Sequence, residues 1–303
     1  YKSYYIDMKY LVKKPKIYVI LGPTATGKSD YAVRLAKKVN GEVISADSRQ
    51  VYKGLDIATG KITKNEMQGV PHHLLSIADP SRAYSAARYV RDASRILRYI
   101  VIKGKTPIIC GGTGFYISTL LGEINLINVP PNKILRKKLL GSPASKLFEM
   151  LNNLDPKRAK TIDAKNPVRL IRAIEIASTS NASRDSRFKN QDSKLRQIIL
   201  SDKFEIIKIG LDFEDAKLKK RIHKRVVLRI KKGMIAEARK LHQNGLSFKR
   251  MRELGLEYKL LAEYLNNKIT RRELIEKIER ENWLYAKRQR TWFRKDKSIK
   301  WLK

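Results

Sequence analysis

The chain is predicted to be an α/β protein, with a parallel sheet built around a phosphate loop, helices flanking it, and an inserted, mainly helical domain. Three observations predict this. The stretch Gly22-Pro23-Thr24-Ala25-Thr26-Gly27-Lys28-Ser29 fits the pattern of a glycine, four residues, then Gly-Lys-Ser or Gly-Lys-Thr. Apolar runs alternate with helical patterns up to about residue 120, as in a parallel sheet covered on both faces. From about Asn125 to Asp202 that alternation stops and the chain turns polar, basic and helix-prone.

The elements follow in order. Residues 17–21 are an unbroken apolar run of the kind that forms a buried parallel strand. Residues 29–39 carry Ala32, Val33, Leu35, Ala36 and Val39 at helical spacing. Further strands are expected over 43–45 and 107–110, and helices over 85–102 and 115–121. Loops at the C-terminal ends of such strands build the site. The phosphate loop, Ala46-Asp47-Ser48-Arg49-Gln50 and Gly111-Gly112-Thr113-Gly114 are therefore expected to meet at one crevice. Pro130 and Pro131 open the inserted segment, and the Ser/Asn/Arg/Lys-rich stretch 178–194 reads as a flexible hairpin or loop. Strand character returns over 204–210 as a further strand of the same sheet. Helices are expected over 213–232, 235–244, 256–265 and 270–294. The predicted organisation is a first core part over 1–124, a helical module over 125–202, and a second core part over 203–303.

Composition narrows the partners. A chain of 303 residues, 42% hydrophobic, is long enough to bury a sizeable core. Its formal net charge is +37, from 66 Lys+Arg against 29 Asp+Glu. That exceeds what solubility asks for and points to a polyanion, nucleic acid first. The single cysteine, Cys110, excludes an intramolecular disulfide and a zinc site built on a cysteine cluster. No apolar run approaches the roughly 20 residues needed to cross a bilayer, and no signal-peptide pattern is seen. The protein is expected to be cytoplasmic, soluble and monomeric.

A strand, a glycine loop and a helix in that order gather backbone N–H groups and a helix N-terminus around one point, which binds phosphate. Lys28 would reach the same anion, and the Ser29 hydroxyl would sit on Mg2+. A di- or triphosphate is the expected ligand. ATPases and GTPases usually end a second strand in an acid that holds the metal. Here the strand ending at Cys110 runs into glycines, and the acid is Asp47. Asp47 either orients the metal or accepts a proton from a nucleophile; a helix cap is the plainer role. Thr113 offers a hydroxyl to an amide, amine or phosphate. Arg suits phosphate because its fork makes two charge-assisted bonds, but among Arg221, Lys224, Arg225 and Arg229 physics alone does not choose. His72 and His73 lie at the wrong spacing for a helical metal pair and are read as structural or substrate-positioning. The aromatic residues Trp283, Tyr285, Trp292, Phe293 and Trp301 fit packing of a long amphipathic helix better than an RNA-stacking platform.

Several motifs combine. The phosphate loop is followed by the stretch from Asp47 to Lys61, then by Gly69-Val70-Pro71-His72-His73-Leu74, Tyr84-Ser85-Ala86-Ala87, Gly111 to Tyr116, Asn166 to Glu175, and Ala286 to Arg294. Together they resemble the tRNA dimethylallyltransferase (isopentenyl transferase) family, bacterial type, from about Pro15 to the C-terminus. The resemblance implies transfer of a dimethylallyl group from its diphosphate to the N6 amine of the adenosine just 3′ of the anticodon, with release of diphosphate. It implies that the loop from Gly22 to Ser29 holds the leaving diphosphate, and that Lys28, Arg225 and Mg2+ on Ser29 stabilise its charge. Asp47 matches the general base and Thr113 a residue beside the reacting groups. Asp47, Ser48, Arg49 and Gln50, then Val168, Arg169, Leu170, Ile171 and Arg172, then Arg252, Glu253, Leu254, Gly255, Leu256 and Glu257 fall where the family contacts tRNA. The partners implied are a tRNA anticodon stem-loop, whose target base leaves its stack, and dimethylallyl diphosphate. The chain departs from the family at Gly255-Leu256-Glu257-Tyr258, where Gly-Tyr-Arg is common.

Three rival readings stand beside this one. An adenylate isopentenyltransferase would use the same donor on AMP or ADP, but needs neither the basic module nor the charge. A phosphate-loop kinase would transfer a γ-phosphoryl group. A non-catalytic RNA-binding protein would rely on the basic surface alone.

Overall fold

Strand β1 (Lys16–Leu21) runs through the middle of a six-stranded sheet because its side chains are apolar on both faces: Ile17, Val19, Ile20 and Leu21 are all buried. The computed structural model describes residues 14–127, 129–182 and 204–302. These fall into two compact units, one of residues up to 124 together with those from 204 onward, the other beginning at residue 125.

In the first unit β1 is followed by α1 (Lys28–Lys38), β2 (Gly41–Ser45), α2 (Lys64–Met67), β3 (His72–His73), α3 (Ala86–Ile102), β4 (Thr106–Cys110) and α4 (Gly114–Leu120). The second unit holds α5 (Lys133–Leu139), α6 (Ala144–Leu154), α7 (Pro156–Ala159) and α8 (Pro167–Ala182). The chain then returns to the first unit with β5 (Glu205–Leu211), α9 (Asp215–Lys231), α10 (Met234–Gln243), α11 (Phe248–Leu254), α12 (Leu256–Leu265), α13 (Arg271–Phe293) and β6 (Lys300–Leu302).

The strand order is β3-β2-β4-β1-β5-β6, and every pairing is parallel. Strand side chains alternate between faces, and the core divides accordingly. Val19, Ile44 and Ile109 pack with Leu97 and Ile100 of α3 and with the C-terminal helices. Ile20, Val43 and Ile108 pack with Ala32, Val33 and Ala36 of α1. β5 pairs with β1, so the expected return of the chain to the first sheet is found. β3, β6 and α11 were not expected. β3 and β6 have two and three residues, too short for a periodic signal, and they form the two edges.

The second unit closes around Leu139, Leu147, Leu151, Leu170 and Ile174. Glu175, fully enclosed in it, takes both nitrogens of an Arg136 fork at 2.9 and 2.8 Å, Arg172 at 2.6 Å and the Asn132 N–H at 2.5 Å. Burial pushes its pKa up, but these donors outweigh burial and hold it at about 2. The flexible stretch expected over 178–194 is corrected at its start: residues 178–182 continue α8. The rest of it lies outside the described residues.

Candidate active site

The three expected loops meet at the C-terminal ends of β1, β2 and β4. The Gly111 N–H bonds the Ile20 carbonyl at 3.0 Å, Ala46 N–H bonds Cys110 at 2.8 Å, and Thr113 N–H bonds Ala46 at 3.2 Å. The contact is made main chain to main chain. A Cβ on Gly111 would overlap the Ala46 carbonyl, and one on Gly22 would overlap that of Leu211. Beside this floor lies a cavity of about 390 Å³, lined among others by Lys28, Ser29, Asp47, Arg225, Tyr285 and Gln289. A larger cavity of about 580 Å³ lies by Trp292. Its Lys208 already pairs with both Glu123 and Asp296 at 2.5 Å, so both carboxylates of its lining are engaged.

The phosphate loop turns at Gly27, which adopts a left-handed conformation (φ 86°) as the N-cap of α1. Lys28 Nζ donates to the Pro23 carbonyl at 2.5 Å. Burial lowers the Lys28 amine to about 8, and the Arg225 cation pushes the same way.

Helix α9 supplies the facing cations. Arg221, Arg225 and Arg229 recur at four-residue spacing and share one face. Arg221 donates to the Ala25 carbonyl at 2.6 Å and Arg225 to the Thr24 hydroxyl at 3.1 Å. Arg229 donates to the Ala58 carbonyl at 3.0 Å and pairs with buried Glu257 at 3.3 Å. Burial, and then Arg229, lower the Arg225 pKa to about 9. Lys224 is exposed and takes no part in this lining. The choice left open by sequence is thus narrowed to Arg221 and Arg225 on the loop itself.

Asp47 follows β2. Its Oδ1 accepts the N–H groups of Arg49 at 2.8 Å and Gln50 at 3.2 Å, so it caps a turn while its carboxylate lines the cavity. Thr113 is the N-cap of α4, and its hydroxyl accepts the Ser48 N–H at 3.1 Å. The Tyr285 hydroxyl lies beside the same threonine. Burial first, then the Asp47 charge, raise its pKa.

The other sequence candidates separate. Arg49 reaches toward Gly255, and its guanidinium lies 3.3 Å from where a Gly255 Cβ would stand. Gln50 Nε2 turns inward to the Thr59 and Gly60 carbonyls at 3.4 Å. Arg252 and Glu253 are exposed, and Gly255 and Leu256 are half-buried. Val168 is 78% exposed and Arg169 is exposed; Ile171 and Arg172 are half-buried. Three tRNA candidates need correction. Leu170 and Leu254 are fully buried in their cores, and Glu257 is buried in its Arg229 and Asn282 bonds, so none of these side chains is offered to a partner. His73 bonds Glu42 at 2.7 Å and Lys105 takes the other oxygen at 2.7 Å, a structural role at the opposite end of β2.

Two residues escaped sequence reading. Gln289 and Glu237 are ordinary helix residues by local pattern, and only tertiary packing brings them to the site. Glu237 accepts the N–H groups of Asp56, Ile57 and Ala58 at 2.9, 2.6 and 3.0 Å and so fixes one wall of the cavity. The four-residue spacing of the arginines was a usable signal. Among the described residues no group of three or more His, Cys, Asp or Glu is arranged to hold a metal. Ser29 and Asp47 are hard oxygen donors on one cavity. That set fits Mg2+, which is commonly held by one or two protein ligands plus phosphate oxygens and water.

Sheet and crevice together define an α/β protein of the phosphate-loop type. The IPP transferase family model matches residues 50–296, and the isopentenyl transferase model matches 15–79. The chain belongs to the IPP transferase family. It is 42% identical over 293 residues to tRNA dimethylallyltransferase 2 of Treponema denticola, covering 96% of this chain and 95% of that one. It is 38% identical to the tRNA dimethylallyltransferase of Anoxybacillus flavithermus, over 94% and 89% of the two chains. The full-length tRNA isopentenylpyrophosphate transferase of Bacillus halodurans superposes with a TM-score of 0.68 at 36% identity, over 96% and 90%. A eukaryotic dimethylallyltransferase acting on tRNA superposes with a TM-score of 0.74 at 26% identity, over 92% and 70%.

Proposed function

We propose that this chain is a tRNA dimethylallyltransferase, which moves a dimethylallyl group from dimethylallyl diphosphate to the N6 amine of the adenosine 3′ of the anticodon. The observation that carries this reading is that Lys28 and Arg225 line the same cavity as a carboxylate, Asp47. That pairs an anion cradle with a proton acceptor, as alkyl transfer from a diphosphate to an amine requires. The phosphate loop and the two cations hold the diphosphate and take up the charge that builds as its bond to C1 breaks. The bonding electrons leave with the diphosphate, the N6 nitrogen bonds C1, and its proton passes to Asp47. Arg49 and Gln50 occupy Oδ1, so Oδ2 receives that proton. Thr113 orients the amine. Mg2+, when bound, would be held by Ser29 and would neutralise diphosphate charge. Asp47–Gln50, the exposed residues Val168 and Arg169, half-buried Ile171 and Arg172, and Arg252, Glu253, Gly255 and Leu256 are the tRNA contacts of this reading. Among the described residues no helix is long and apolar enough to cross a membrane, and the reading places the enzyme in the cytoplasm as a monomer.

The test is transfer of radiolabel from dimethylallyl diphosphate, with magnesium, to unmodified tRNA or to AMP. Label in tRNA alone is the expected result. Label in AMP would move the chain to the mononucleotide class, and label in neither would overturn the reading.

A further inference from the structure

The steps above use no residue of α13, yet one of its side chains touches both loops on which they depend. Gln289 is 5% exposed. Its Oε1 accepts the Thr24 N–H at 2.8 Å, and its Nε2 donates to the Gly112 carbonyl at 2.8 Å. A backbone N–H on one side and a carbonyl on the other fix the orientation of the amide without ambiguity. A Cβ on Gly112 would overlap Nε2, so the glycine is what admits the bridge. Thr24 belongs to the phosphate loop and takes the Arg225 bond on its hydroxyl. Gly112 directly precedes Thr113. The helix that carries the bridge is itself held fast. Arg290 bonds both oxygens of Asp212 at 3.0 Å and Asp215 at 2.5 Å.

We propose that Gln289 is a positioning residue whose amide sets the spacing between the loop that holds the donor diphosphate and the loop that faces the acceptor amine, and so governs the rate of transfer rather than substrate affinity. This rests on the reading of the site given above. The side chain must both accept and donate. Glutamate keeps only the acceptor, asparagine is one methylene short, and methionine fills the volume with neither function. Losing the bridge leaves the half-buried Thr24 N–H and the buried Gly112 carbonyl without their partners, and the loops shift to satisfy them. Group transfer is sensitive to such shifts: a displacement of about 1 Å costs on the order of a hundredfold in rate.

The experiment measures the single-turnover transfer rate at saturating dimethylallyl diphosphate and tRNA, the dissociation constant of each substrate, and the melting temperature. Gln289→Met and Gln289→Glu are each expected to lose about a hundredfold in the saturated rate, with tRNA affinity unchanged. Gly112→Ala is expected to match them. Adding Gln289→Ala to Gly112→Ala is expected to cost nothing more, because both changes break one link. A wild-type saturated rate in Gln289→Met overturns the proposal, as does a loss confined to the dissociation constants. Should Gln289→Met not fold, Gln289→Glu, which keeps the Thr24 bond, carries the same test. A wild type that transfers nothing overturns the functional reading and this proposal with it. An active wild type with an unimpaired variant overturns this proposal alone.

Discussion

Arg225 donates to the Thr24 hydroxyl at 3.1 Å across 201 residues of sequence, so a cation from α9 sits directly on the phosphate loop. Its neighbour Arg229 is neutralised by Glu257, whereas among the described residues Arg225 has no carboxylate in hydrogen-bond contact. The cation best placed for a leaving anion is therefore Arg225. Arg225→Ala is expected to lower kcat/KM for dimethylallyl diphosphate by about 10²- to 10³-fold. Arg225→Lys should recover little of this, because an ammonium lacks the fork. Steady-state kinetics checks both, and a full rescue by lysine would count against bidentate holding of the diphosphate.

Asp47, one tRNA contact among many in this reading, is expected to act on rate far more than on tRNA binding. Asp47→Asn keeps an acceptor oxygen for the Arg49 and Gln50 N–H groups, so the turn survives. The transfer rate should fall by about 10²- to 10⁴-fold, while filter-binding affinity for tRNA stays near that of the wild type. Equal losses in rate and affinity would remove the proton-acceptor role.

Lys28 gives a pH dependence of definite sign. Its amine is held down to about 8 by burial, and the diphosphate binds the charged form. Donor affinity is therefore expected to be level below pH 8. Above it, affinity should weaken by about tenfold per pH unit as the ammonium is lost. Calorimetric titration with dimethylallyl diphosphate across pH 6.5–9.5 would read this directly. Lys28→Met should bind weakly at every pH with that slope abolished.

Glu175 makes the second unit acid-sensitive. Its folded pKa of about 2 lies below the usual carboxylate value. Its contribution is complete above the unfolded pKa and is lost as pH falls toward 2. The linkage is on the order of 3 kcal/mol at neutral pH. Urea unfolding should show Glu175→Gln less stable than wild type at pH 7, with the gap narrowing as pH falls below the unfolded value and closing only toward pH 2. Equal stability at pH 7 would mean that the arginine cluster contributes nothing.

The charge of +37 predicts strong salt dependence of tRNA binding. Each phosphate neutralised releases counterions, so affinity should fall linearly on a log–log plot against salt. A flat response would direct the basic surface to some other partner.

Much of this architecture is legible in the amino-acid sequence. The central strands were readable because a strand buried on both faces is an unbroken apolar run, as at Ile17–Leu21. The phosphate loop was readable because its glycines, lysine and serine are local in sequence. The edge strands were not: β3 consists of two histidines, and its pairing with β2 is decided by neighbours. Of the site, the loop residues could be named but not the residues that brace them. Gln289 and Glu237 meet their partners across 265 and roughly 180 residues, and no periodicity records such a meeting. Burial was equally invisible. Leu170 and Leu254 sit in motif stretches that look like contact surface, yet their side chains fill cores.

The bridge from Thr24 to Gln289 also orders events in time. A ribosome makes Gln289 265 residues after Thr24. A nascent chain halted before α13 would carry a complete phosphate-loop sequence, but neither the amide that ties this loop to Gly112 nor the Tyr285 hydroxyl that meets Thr113. Contacts between such distant parts of a chain also close slowly. Full competence for alkyl transfer is thus withheld until synthesis is well advanced.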